Sequence, residues 1–305
     1  MLTQTLPMDI PSRPLDASRF NTLAHLSSGS YGEVFTAADL ENNNKEVVIK
    51  KIPKTNSNRR VKNEIEAHEK IPQSKKGLVK FHGSFESRNH LYLVFDRVRG
   101  GDLFALMEHN GFRPLPEFMV LRILRSVVNT LVHCHNHGVA HRDIKLENIL
   151  VDPHVTSAVL IDFGLCSFFT SSGANESLTE DLCGSLEYIA PEVIFQKPLQ
   201  ASKTDSWALG ITMYCLLFGQ FPYAVTDALQ RGEDPYGQET APSVPLPKNS
   251  MEDGIQVSEE LRGLLSGLLR FDPQSRTTVQ AASQHPLLKK NKKKEFCHTE
   301  NSMMI

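Results

Sequence analysis

At 305 residues, 40% of them hydrophobic and 22% charged, the chain has the make-up of an ordinary globular protein long enough for two cores. A formal net charge of −2 argues against bulk attraction to nucleic acid, and no apolar run approaches the roughly 18 residues that span a bilayer. The start, "MLTQTLPMDIPSRPLDASRF", lacks a signal peptide's basic and apolar regions, and the five cysteines, with no C-x-x-C, read as reduced thiols of a cytoplasmic or nuclear protein.

Residues 1–19 are polar and proline-containing and read as a flexible lead-in. From 20 to about 95, short β-rich runs follow: "RFNTLAHL", "GEVFTAADL", "EVVIKKI", "LVKFHGSF" and "HLYLVFD". Turn residues bound them, which predicts an antiparallel sheet. One segment interrupts, "RRVKNEIEAHEKI", with Val61, Ile65 and His68 at helical spacing; it reads as a single helix packed on that sheet. After "VRGGD" the pattern becomes helical. "EFMVLRILRSVVNTLVHCHNHG" is a long helix, and "TDSWALGITMYCLLFG" is so continuously apolar that it predicts a buried one. "SEELRGLLSGLL" starts at Ser258 as an N-cap. Residues 225–256 read as a long surface connection. "KKNKKK" (289–294) and the polar end to 305 form a tail, read as a solvated run, with a nuclear-targeting or acidic-surface patch as the alternative.

Two stretches concentrate chemistry. "HRDIKLEN" (141–148) holds an aspartate, a lysine and an asparagine, and "DFG" (162–164) follows. One aspartate can take a proton from a hydroxyl, the lysine can neutralise phosphate, and the asparagine and second aspartate can hold a divalent metal. Phosphoryl transfer requires that set, because its catalysis is mostly positioning and charge neutralisation. Upstream lie "LSSGSYGEV" (26–34), a near match to a glycine-rich nucleotide loop, and "VVIKK"; downstream lies "APE" (190–192).

In that order these motifs resemble the protein-kinase signature set, over roughly residues 20–288. "GGDLF", "HRDIKLEN" and "CGSLEYIAPEVI" look most like the calcium/calmodulin-dependent and AMP-activated serine/threonine kinases. The resemblance implies an α+β, two-lobed protein-kinase fold, with a small antiparallel sheet lobe carrying one helix (20–98) and a larger helical lobe (99–288). It implies ATP and Mg2+ as cofactors and proteins with Ser or Thr acceptors as substrates. It names no regulatory partner.

Carried over residue by residue, Lys50 contacts the ATP phosphates and pairs with Glu64. Asp143 orients the substrate hydroxyl and acts as base, and Lys145 steadies the γ-phosphate. Asn148 and Asp162 ligate Mg2+. Leu26, Ser27, Ser28, Gly29, Ser30, Tyr31, Gly32, Glu33 and Val34 form the loop over the nucleotide. Val48, Phe95, Asp96, Val98, Asp102 and Leu150 complete the nucleotide-binding set. Asp205 holds the catalytic loop from below, and Glu192 pairs with Arg276. Asp102 and Glu147 are expected to face arginines N-terminal to the acceptor.

Three positions depart from the family pattern. Ser27 replaces the first loop glycine, near the ribose end where a small Cβ is tolerated. Val48 replaces the usual alanine against adenine. His68 stands where Leu or Met is usual, expected to pack with Phe81, Phe163 and His141. These departures are the only support for a pseudokinase reading. His133 and His137, one helical turn apart, read as structural rather than metal-binding. Asp181 occupies the usual activating phosphothreonine position, opposite Arg142, with Thr179 as the alternative regulatory site.

Overall fold

The β-branched runs of the first hundred residues form one antiparallel sheet. In this computed structural model, residues 15–29, 32–56, 59–73, 77–169, 184–195, 200–236, 243–250 and 255–289 are described. The chain divides into two units, Met1–Asn58 with Lys80–Arg97, and Arg59–Val79 with Val98–Ile305.

The first unit contains β1 (Phe20–Gly29), β2 (Gly32–Asp39), β3 (Lys45–Pro53), β4 (Phe81–Glu86) and β5 (His90–Asp96), in the order β1-β2-β3-β5-β4. Lys50 lies opposite Val34 and Leu93, and Val48 opposite Thr36 and Phe95. Because side chains alternate along a strand, Val34, Val48, Lys50 and Phe95 share one face. Ala37, Val47, Ile49 and Val94 share the other and are buried there with Phe85.

Residues 15–19, expected as flexible lead-in, pack on that second face instead. Leu15 and Phe20 cover the buried cluster, and Phe20 stacks on Phe85 at 5.7 Å, which stacks on Tyr92 at 4.6 Å. Arg19 donates to both carboxylate oxygens of buried Asp39 at 2.7 Å, and this guanidinium holds the Asp39 carboxyl below its ordinary value. Apolar cover and a bidentate ion pair order residues that composition alone marks as polar.

The second unit holds α1 (Arg59–Lys70), β6 (Gly101–Asp102), α2 (Leu103–His109), α3 (Glu117–Asn136), β7 (Val139–Ala140), β8 (Ile149–Val151), β9 (Ala158–Leu160), β10 (Ser167–Phe168), α4 (Pro191–Ile194), α5 (Ala201–Phe218), α6 (Val225–Gln230), α7 (Glu259–Leu268) and α8 (Val279–Ser283). Strand order is β6-β8-β9 in one small sheet and β10-β7 in another. As its sequence predicts, α5 is buried, on every residue from Asp205 to Phe218. It ends at Gly219 with φ 71°, where a Cβ would lie 2.0 Å from the Phe112 carbonyl oxygen. Only glycine meets both conditions. The start of α7 is the predicted one: Ser258 Oγ accepts from the Leu261 N–H at 3.3 Å.

Helix α1, expected with the sheet lobe, shares most of its neighbours with the larger unit. Asn63 Nδ2 donates to the Cys166 carbonyl at 3.0 Å, His133 Nε2 to the Pro72 carbonyl at 3.0 Å, and the Val79 N–H to the Leu160 carbonyl at 3.2 Å. Residues 225–256 are not all surface connection. They contain α6, and Val225, Ala228, Tyr236, Val244 and Ile255 are buried. A six-residue helix flanked by turn formers is too short to show a period.

Candidate active site

The catalytic loop in the second unit is built from Asp205 upward. Its carboxylate, fully buried in α5, accepts the His141 N–H at 2.9 Å, the Arg142 N–H at 2.7 Å and His135 Nε2 at 2.7 Å. Arg142 has φ 66°, a left-handed conformation unfavourable for a residue with a side chain, and these bonds hold it. Burial pushes the Asp205 carboxyl up, and the bond and charge of His135, with His141 and the Arg142 N–H, more than offset this and lower it overall.

That turn presents Asp143 among partners on both oxygens. Oδ2 lies 3.0 Å from Lys145 Nζ and accepts from Asn148 Nδ2 at 2.9 Å. Oδ1 accepts from Ser185 Oγ at 3.1 Å, and Ser185 in turn accepts from Lys145 Nζ at 2.9 Å. Asn148 Nδ2 also donates to the Asp143 carbonyl at 2.8 Å. With its nitrogen committed, the amide leaves Oδ1 as a ligand oxygen. Asp162, at φ 63°, turns Oδ1 back to accept the Gly164 N–H at 3.2 Å. An amide oxygen and a carboxylate form the donor set a hard cation such as Mg2+ takes.

Rings support this loop. Phe163 meets His68 at 5.3 Å and His141 at 4.6 Å, both edge-on, and all three are buried. His141 Nε2 donates to the Ile161 carbonyl at 3.0 Å while Nδ1 accepts the Asp143 N–H at 3.2 Å. His68 is thus packed beside Phe163, and Phe81, in the first unit, lies 5.3 Å from Phe95. His133 and His137 have main-chain partners: His137 Nδ1 donates to the His133 carbonyl at 2.8 Å, and His133 Nε2 to the Pro72 carbonyl.

The expected nucleotide residues divide between the two units. Leu26 to Gly29 end β1, and Gly32, Glu33 and Val34 begin β2. Gly32 has φ 147°, and a Cβ there would lie 2.1 Å from the Lys51 carbonyl oxygen, so β3 demands glycine independently of any phosphate. Lys50 and Val48 stand in β3, and Phe95 and Asp96 at the end of β5. The Asp96 carboxylate is tied to Lys45 at 2.5 Å and His82 at 2.7 Å. In the second unit, Glu64 is buried in α1, Val98 is half-buried, and Leu150 in β8 pairs with Asp102. Asp102 has a duty that sequence reading missed: its Oδ1 caps α2 by accepting the Ala105 N–H at 2.7 Å.

Below the catalytic loop, Glu192 and Arg276 form the expected pair, at 2.6 and 2.8 Å. Sequence reasoning also missed Ser185, Glu187 and Tyr188. Tyr188 Oη accepts the Leu146 N–H at 3.4 Å, and Glu187 accepts from the start of α6 at 3.0 Å. Only "GSLEYIAPE" as a unit signalled them. Ser30, Tyr31, Thr179, Asp181, Cys183, Cys297 and the tail from 290 lie outside the described residues. Cys166 is buried, and burial pushes its thiol up, so it is inert.

The protein kinase domain family matches residues 20–288. The chain is 33% identical over 88% of its length to a PAS domain-containing serine/threonine-protein kinase of Mus musculus, of which it covers 18%. It is 31% identical over 88% of its length to the serine/threonine-protein kinase cds1 of Schizosaccharomyces pombe, covering 58% of it. To CBL-interacting protein kinase 5 of Oryza sativa subsp. japonica it is 29% identical over 90% of its length, covering 57%. The chain therefore spans less than two thirds of the length of these relatives. Its matched residues include the Asp143 loop, the Asp205 carboxylate beneath it and the Glu192–Arg276 pair, and the chain belongs to the protein kinase family.

Proposed function

We propose that this chain is a serine/threonine protein kinase that transfers the γ-phosphate of ATP to protein hydroxyl groups and requires Mg2+. The observation that carries the reading is the Asp143 cluster, in which a half-buried carboxylate is oriented by Asn148, Ser185 and Lys145. Orientation of this kind makes a carboxylate an effective base toward a hydroxyl at hydrogen-bond distance. Asp143 takes the proton from the acceptor hydroxyl, and Lys145 is placed to neutralise the phosphoryl group as it transfers. Asn148 Oδ1 and Asp162 would hold Mg2+, which when bound supplies positive charge against the phosphates. Lys50, on the same sheet face as Val34 and Val48, holds phosphate.

The preferred acceptor has arginine or lysine two or three residues before it. Glu147 supports this, being exposed in the turn that carries Lys145 and Asn148. Asp102 contributes less, since one of its oxygens caps α2. Labelled-phosphate transfer to a degenerate peptide library tests both parts. Wild type should transfer, with basic residues enriched before the acceptor, while Asp143→Asn, Asp162→Asn and Lys50→Met each lose at least ~10²-fold. No transfer by wild type, or near-native transfer by the variants, would overturn the reading.

A further inference from the structure

Glu187, half-buried, lies three residues beyond Gly184 in "GSLEYIAPE", on a turn where a lone carboxylate would be free to meet solvent or substrate. It does neither with its two oxygens. Oε2 accepts the Val225 N–H and Oε1 the Thr226 N–H, both at 3.0 Å. These are the first two amides of α6, and the helix has no other side-chain cap, because its N-cap residue is Ala224. A helix start carries unpaired donors and partial positive charge. A carboxylate from 38 residues earlier satisfies both.

The tie matters because of what flanks Glu187. On one side Ser185 bonds the Asp143 carboxylate. On the other, the ring of Tyr188 meets Phe221 at 5.2 Å while its hydroxyl accepts the Leu146 N–H. The Ile189 carbonyl accepts from Tyr236 Oη at 2.6 Å. Thus the turn 185–189 is fixed to the catalytic loop by Ser185 and Tyr188, and to the 221–236 segment by Glu187, Tyr188 and Ile189. Glu187 is the only charged member of this set.

We propose that Glu187 is a positioning residue for the protein substrate: by capping α6 it locks the turn 185–189 at the height at which an acceptor peptide meets Asp143. This rests on the kinase reading above. It also removes Glu187 from the acids available to arginines of the substrate, leaving that role to Glu147. Binding of peptide therefore depends on Glu187 whatever the peptide's charge.

The test compares wild type with Glu187→Ala and Glu187→Gln, the second keeping one acceptor oxygen in the same place. Two peptides are used, with and without arginines before the acceptor serine. Peptide dissociation constants are read by fluorescence anisotropy, peptide KM and kcat by transfer, and exchange of the Val225 and Thr226 amides by deuterium uptake. Glu187→Ala should weaken both peptides by about tenfold, the scale of losing one charge-assisted hydrogen bond. Its peptide KM should rise in step with the dissociation constants while its ATP KM stays within about twofold, the two amides should lose protection, and Glu187→Gln should fall between. Weakening confined to the arginine-bearing peptide makes Glu187 a substrate-binding acid and overturns the proposal. So do unchanged amide protection or unchanged peptide affinity in Glu187→Ala. Anisotropy and exchange are read independently of transfer, so an inactive wild type sinks the kinase reading without deciding this one.

Discussion

Replacing Arg276 by lysine keeps the charge and removes the fork, and the structure sets the cost. Guanidinium has five N–H donors, and all are used. Nε donates to the Arg270 carbonyl at 2.9 Å. One terminal nitrogen donates to Glu192 Oε1 at 2.6 Å and the Lys203 carbonyl at 3.0 Å. The other donates to Glu192 Oε2 at 2.8 Å and the Phe271 carbonyl at 3.2 Å. The group also lies 5.1 Å from the centre of the Trp207 ring. Both partners are 2% exposed, so water cannot replace a bond lost between them. A lysine nitrogen cannot span both Glu192 oxygens, which leaves at least one buried acceptor unsatisfied at about 1–3 kcal/mol. Arg276→Lys should therefore cost about 2 kcal/mol. Arg276→Ala, which strands the Glu192 carboxylate, should cost about 5 kcal/mol. Urea denaturation followed by tryptophan fluorescence reports on this region directly, because Trp207 is the chain's one tryptophan. Arg276→Met with Glu192→Leu should recover part of the Arg276→Ala loss by removing the stranded charge, though three main-chain carbonyls lose the guanidinium as a partner. A lysine variant within about 0.5 kcal/mol of wild type, or additive losses for Arg276→Ala and Glu192→Ala, would refute the argument.

Asp205 predicts an acid limb. Its folded carboxyl is lowered, so its stabilisation is present at neutral pH and disappears as pH falls below about 4 through the lowered value; Asp205→Asn should flatten that limb in denaturation series, and an unchanged limb counts against it. Gly32→Ala should lower the melting temperature without any nucleotide present, because the clash is with the Lys51 carbonyl; a loss seen only in ATP affinity would mean that the strand relaxes.

The catalytic residues were legible because the chemistry is contiguous: Asp143, Lys145 and Asn148 occupy six positions of one loop. Asp205 and Arg276 were legible only through resemblance, since nothing local marks a buried carboxylate in an apolar helix. Periodicity marked Val61, Ile65 and His68 in α1, whereas the buried side is Val61, Glu64, Ala67 and His68. A charged residue inside a helix face reads as solvent until its surroundings are known. Glu187 was illegible for another reason. Its partners are main-chain amides, which have no sequence signature, at a helix start that alanine leaves uncapped.

The edge of a family resemblance and the edge of a folding unit do not coincide at the N-terminus. Similarity begins at residue 20, while Leu15 already covers one face of the sheet and Arg19 clamps Asp39 at the end of β2. A chain shortened to start at Phe20 would keep every residue of the catalytic motifs and uncover part of the apolar surface over Val47, Ile49 and Val94. Such a surface seeks another like itself, so the shortened protein should run as a mixture of self-associated species in gel filtration, with its chemistry intact and its solution behaviour lost.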